Sequence, residues 1–357
     1  MAKVKFSEDE LKVIGVYNQI GTYYNTPYAA VERWNKPIPA KENMIRYIKG
    51  EDYEWVPDLT CDLVDITPVC IPDVVATGFE GGIDSFGVKW IPVESNKSLP
   101  SFVDPGFCLL VDIANWESLE WPDVDSWNWK EVAAQYREAY KDDDRMMRGV
   151  VMSGFFERLI SIMTFEEAAM SLLTDPASVK AFFEKLAEMN NKIIDHYIDD
   201  FDCGAILIHD DWAAQRSPFF SLDAATELIV PYLKKCVDHV HERGAIFTFH
   251  SCGMGLALVP AMKAAGVDIW QAQESCLDIQ EAIDTCGDEI ILEIYPVLES
   301  GMRGKELEEE IEGFLKKYCS NQKCFVEFYD FDGDRHYETR KIVYRISRKM
   351  ALQESNM

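Results

Sequence analysis

The sequence predicts an α/β chain folded as one (β/α)8 TIM barrel with an N-terminal extension. Three observations point there. From about residue 148 onward, short β-rich apolar runs alternate with long helical patterns. The runs recur at the spacing of βα units, and no glycine-rich nucleotide loop of the kind a doubly wound sheet would carry follows any of them. With 357 residues, 48% hydrophobic and 27% charged, the chain is large and apolar enough to bury a single big core.

Up to residue 145 the chain is broken by Pro57, Pro68, Pro72, Gly81, Gly82, Pro92, Pro105 and Pro122, so long elements are excluded there. Short helices are expected near 7–17 and 40–50, and Glu54–Val56 and Leu63–Thr67 are candidate first strands. Phe79–Pro92 reads as a hairpin or loop packed by aromatics, placed to cover a site. Residues 1–145 are therefore expected to form an irregular extension that carries the first barrel strand or strands and packs on the barrel. Residues 146–357 then supply the rest of the barrel within one structural domain. The six later strands fall at Gly149–Met152, Cys203–Ile208, Ala245–Phe249, Val267–Trp270, Ile290–Ile294 and Cys324–Phe328. Between them, Thr164-Phe165-Glu166-Glu167 opens one helix, Asp175-Pro176 opens another running to about 199, and Ser221-Leu222-Asp223 opens a third running to about 243.

Lys and Arg number 35 against 62 Asp and Glu, a net charge of −27 that repels nucleic-acid backbones. No stretch has the length and apolarity of a membrane span, and the first nine residues lack the apolar segment of a signal peptide, so a cytoplasmic protein is the expectation. The 10 cysteines are scattered without a C-x-x-C pair and read as reduced thiols.

In a barrel the active site lies where the strands end, and those positions can be read off. His250 and Cys252 leave one strand two residues apart and so point the same way, a borderline-soft pair suited to Zn²⁺, with Gly253 permitting a tight turn beside them. A third metal ligand is needed, and the carboxylates at strand ends, Glu293, Glu327 and Asp330, are the candidates. Cys319 and Cys324 fall at the opposite end of the barrel. The other reading is local hydrogen bonding for His250 and simple burial for Cys252. Asp210 and Asp211 adjoin His209 at the end of another strand, where adjacent acids bind a cation, transfer protons or cap a loop. Both are catalytic candidates along with His250, the register between them stays open, and His209 is expected to face the helices. Gln215, Arg216, Trp270 and Gln273 are candidate substrate contacts, although Arg216 can equally pair with an acid and Trp270 can simply pack.

The segments IHDDWAAQRSPFFS (208–221), HERG (241–244), FHSCG (249–253) and AGVDIWQAQ (265–273) together resemble the uroporphyrinogen decarboxylase superfamily, with weaker similarity through GFFERLISIMTFEEAAMSLLTDP (154–176). The resemblance implies a (β/α)8 barrel used in two ways. True uroporphyrinogen decarboxylases are metal-free and bind an anionic tetrapyrrole through an N-terminal arginine segment. The corrinoid-dependent methyltransferases hold zinc with an H-x-C pair and a distant cysteine, and exchange a methyl group with a corrinoid protein. This chain lacks the arginine segment and has His250-Ser251-Cys252, which is nearer the methyltransferase branch. It departs from that branch at residues 326–334, where no cysteine stands for the third ligand. The expected activity is methyl transfer from a small methoxylated or methylated compound to a partner corrinoid protein, with Zn²⁺ as cofactor. Metal-free decarboxylation of a tetrapyrrole or aromatic acid is the alternative, and a homodimer is compatible with the resemblance.

Overall fold

The structure, a computed structural model, describes residues 5–18, 20, 31–96, 99–330, 332–333 and 335–354. At its centre seven parallel strands lie side by side in chain order: β1 (Leu63–Ile66), β2 (Met146–Val151), β3 (Ala205–His209), β4 (Ile246–Ser251), β5 (Ile269–Ala272), β6 (Ile291–Ile294) and β7 (Cys324–Val326). Each is short and buried along nearly all its length, as strands are when helices cover one face and the other lines an interior.

Two contacts show that this sheet is curled. Arg148 on β2 donates to Glu293 on β6 at 2.6 Å, whereas four strand spacings in a flat sheet would separate them by about 19 Å. Asp58, just before β1, forms a parallel bridge to Val326 of β7, so the two edges approach each other. The expected strand at Glu54–Val56 is not formed. Asn43, on the helix Ala40–Ile48, takes its backbone instead: Oδ1 accepts the Glu54 N–H at 2.8 Å and Nδ2 donates to the Trp55 carbonyl at 2.8 Å. Those groups then need no ladder partner.

The helix starts follow the sequence signals. Thr164 caps Phe165–Thr174, Asp175 caps the 26-residue helix Pro176–Phe201, and Ser221 opens a segment that passes through a π turn into Val230–Glu242. Asp202, at φ 57°, ends the long helix in the left-handed region.

Before β1 an antiparallel pair, Val13–Tyr17 with Val31–Trp34, packs through Tyr17, Val31 and Trp34 against Tyr344 of the helix His336–Glu354. Between β1 and β2 lies a three-stranded antiparallel sheet, Gly82–Ile83, Lys89–Ile91 and Phe102–Val103, so the hairpin expected at Phe79–Pro92 is present. Arg158, on the helix Phe155–Ile162, ties it down by donating to Asp84 at 2.6 Å and by pairing with Asp73.

Candidate functional site

Register decides which side chains reach the interior. His209 on β3 pairs with His250 on β4, and Gln271 on β5 also pairs with His250. The side-chain period of two therefore sends His209 and Asp211, His250 and Cys252, and Gln271 to the same side. The two imidazoles stack at 4.1 Å between ring centres. His209, Asp211 and His250 each offer a ligand atom within 4.8 Å of the others. The thiol of Cys252 lies 3.2 Å from His250 Nε2, and Asp211 Oδ1 is 3.5 Å from that same nitrogen. Beyond Cys252 the chain turns at Gly253, φ 80°, where a Cβ would sit 2.4 Å from the Ala213 carbonyl oxygen. Gln273 accepts the Gly253 N–H at 2.9 Å and pins the turn.

The partners behind the cluster fix its chemistry. The Gln271 amide nitrogen donates to Tyr295 at 2.7 Å and to Glu293, so its oxygen is the atom left to face His250 Nδ1, 2.6 Å away. That places the proton on Nδ1 and leaves the Nε2 lone pair turned toward Cys252 and Asp211. On the other ring Glu157 holds His209 Nδ1 at 2.7 Å. Burial works against a charge on His209, but Glu157, with Asp211 and Asp210, carries its pKa up to about 9. Burial and the neighbouring His209 charge push His250 the other way, down to about 3. Burial, followed by the charge of Asp211, pushes the Cys252 thiol up. Two imidazole nitrogens, a carboxylate and an adjacent thiol fit a borderline divalent cation such as Zn²⁺.

Of the two adjacent acids, Asp211 faces this cluster and Asp210 faces away. Asp210 is fully buried and accepts the Glu157 N–H at 2.8 Å, the Phe156 N–H at 3.3 Å and the Trp212 indole N–H at 2.9 Å. It thus holds the first turn of the helix that carries Glu157, although burial and then the Glu157 charge push it up to about 7. Asp210→Ala strands those donors and is expected to lower stability by about 3 kcal/mol in urea titration while leaving metal binding intact. His209, expected among the helices, faces the interior instead.

The carboxylates expected as third ligands are outside this three-residue cluster, although Glu327 lines the same cavity. Asp330 is held at both oxygens by Arg335, between 2.7 and 2.9 Å, and by Thr339 at 2.6 Å. Glu293 is fully buried and bound by Arg148, Gln271 and Tyr295. Glu327 accepts from Thr60 at 2.8 Å and sits 3.7 Å from Arg340. Among the expected substrate contacts, Trp270 is fully buried on the opposite face of β5, packed toward Gly255, while Gln215 and Arg216 are exposed on the loop after Trp212. The sequence reading passed over Glu157, Gln271 and Arg148. The signal it held was the repeated two-residue spacing, His209-x-Asp211 beside His250-x-Cys252.

The cluster opens into a cavity of about 490 Å³, the size of a small-molecule site, with Val150, Met152, Leu207, Pro100 and Tyr329 among its walls. Tyr329 and Tyr295 lie ring against ring at 5.2 Å.

A family model described as uroporphyrinogen decarboxylase (URO-D) matches residues 85–317. Among solved structures, a methyltransferase from Methanosarcina mazei superposes with a TM-score of 0.63 at 13% identity, covering 86% of this chain and 98% of that one; the likeness is one of fold. A sugar phosphate isomerase/epimerase from Parabacteroides distasonis matches at 11% identity over 66% of this chain and 80% of its own, with a TM-score of 0.37, too low to bear on function. No curated protein sequence matches the chain.

Proposed function

The chain belongs to the uroporphyrinogen decarboxylase family, and from that premise we propose that it is a methyltransferase passing a methyl group from a small methoxylated or methylated compound to a corrinoid protein. One observation carries this reading. Three potential metal-ligand atoms lie within 4.8 Å of one another at the cavity, with a thiol 3.2 Å from one of them. Metal-assisted transfer needs such a cluster, and a metal-free decarboxylation does not. The shared fold with the Methanosarcina mazei methyltransferase agrees with it.

His209, Asp211 and His250 would hold the ion, proposed as Zn²⁺, with Cys252 as a further donor. Bound there, it supplies Lewis acidity toward the oxygen or other heteroatom that bears the methyl group. The protein's own part is positioning. Glu157 and Gln271 orient the two imidazoles, the Cys252 N–H fixes Asp211 at 2.7 Å, and the apolar walls keep water from the reacting atoms. No helix among the described residues is long and apolar enough to cross a membrane. The proposal places the enzyme and its corrinoid partner together in the cytoplasm.

Zinc-loaded protein, given a methoxylated aromatic and free cob(I)alamin in place of the corrinoid protein, is expected to convert the cobalamin to its methylated form, followed by absorbance. A chelator or His250→Ala should each slow that conversion by at least about 100-fold. Carbon dioxide release from an aromatic or pyrrole acid by chelator-treated protein, with no methyl transfer, would establish the decarboxylase alternative.

A further inference from the structure

The charges around the cavity bear on what can enter it. Two arginines line it among the described residues, and each is already committed. Arg148 serves two carboxylates, donating to Asp65 at 2.6 and 3.1 Å and to Glu293 at 2.6 Å. Arg145 is held by Asp143 through three contacts between 2.7 and 3.2 Å. Glu327 adds an acid to the cavity wall, and Arg340, 3.7 Å from it, is shared with Asp58 at 3.2 Å. Asp211 contributes a further carboxylate. Even a divalent cation at Asp211 therefore leaves no surplus of positive charge.

We infer that the methyl donor accepted here carries no negative charge: an uncharged methyl ether with an apolar body is admitted, and its carboxylated analogue is excluded. This rests on the methyltransferase reading of the same site. A bound carboxylate would give up its hydration and find, away from the ion, only arginines already occupied by acids. The cavity's own acid shows the same resistance, since burial raises the Glu327 pKa from the usual carboxylate range despite the nearby Arg340. An apolar ring meets Val150, Met152, Leu207 and the Tyr295–Tyr329 pair, and an ether oxygen retains lone pairs for the ion, which a quaternary ammonium would not.

The test is a matched pair of ligands, ortho-dimethoxybenzene and its ring-carboxylated analogue, titrated calorimetrically into zinc-loaded protein and then offered as methyl donors to cob(I)alamin. The neutral ether is expected to bind at least about tenfold more tightly. In Glu327→Gln, and independently in Asp65→Asn, that gap should narrow by at least about threefold. Equal or tighter binding of the carboxylated ring, binding of neither, or a gap unchanged in both variants would overturn the inference. Selective binding without methyl transfer would instead sink the methyltransferase reading and leave the charge selection standing.

Discussion

About one zinc ion per chain is expected in protein purified without chelators, falling below about a tenth of that in His250→Ala and in His209→Ala, measured by elemental analysis. The expectation follows from how the two rings are held. Each histidine has its Nδ1 engaged from behind, by Gln271 and by Glu157, so each brings Nε2 forward to the shared centre with Asp211. Removing either ring leaves one imidazole and one carboxylate beside a thiol that burial and the Asp211 charge hold toward its protonated, weakly ligating form, too few to retain the ion through purification. Cys252→Ala is the informative comparison. The three-residue cluster survives without the thiol, so this variant should still copurify with zinc but surrender it to a mild chelator that leaves the native protein loaded. Loss as complete as in His250→Ala would make Cys252 a principal ligand and Asp211 a bystander. Full retention of zinc in His250→Ala would remove the ion from this site altogether. The circular dichroism of all three variants should match the native protein, because none of these side chains belongs to the apolar core.

Much of the fold can be read from the chain because it depends on local signals. The apolar runs coincide with β2 to β7 to within a few residues, and the caps at Thr164, Asp175 and Ser221 begin helices where their hydrogen bonds predict. The missing strand at Glu54–Val56 depends on Asn43, whose amide competes for the same backbone groups, and no property of the segment itself announces that. At the site, the shared face of His250 and Cys252 follows from their spacing alone. His209-Asp210-Asp211 is harder, because a shift of one residue exchanges the two faces and only the pairing with β4 sets the shift. The engagement of the strand-end carboxylates by arginines was illegible for a related reason. The partners of Glu293 and Glu327, Arg148 and Arg340, belong to other elements, and nothing in the sequence around either acid says which distant arginine will claim it, whereas Asp330 is taken by Arg335 only five residues on.

Arg148→Met is expected to cost about 3–5 kcal/mol in urea titration. The guanidinium and the Glu293 carboxylate are both essentially inaccessible to water. Burial works against the charge on Arg148, and Asp65 and Glu293 together more than offset it. Without it, Glu293 keeps a buried charge with only the Gln271 amide and the Tyr295 hydroxyl for compensation, whereas Asp65, about two-fifths exposed, can turn to water. Neutralising the stranded acid as well, in Arg148→Met with Glu293→Gln, should therefore recover most of the loss, because a polar amide is far cheaper to bury than a carboxylate. Zinc affinity should not recover with it. Glu293 accepts from the Gln271 amide nitrogen and so turns the Gln271 oxygen toward His250 Nδ1. A glutamine at 293 can donate as well as accept, which lets Gln271 flip and removes its preference for the tautomer with a free Nε2. The double variant is thus expected to be folded and nearly stable, yet to bind zinc about 10–100-fold more weakly than the native protein. Native-like affinity in that variant would reduce the buried charges to a packing role and separate them from the metal cluster.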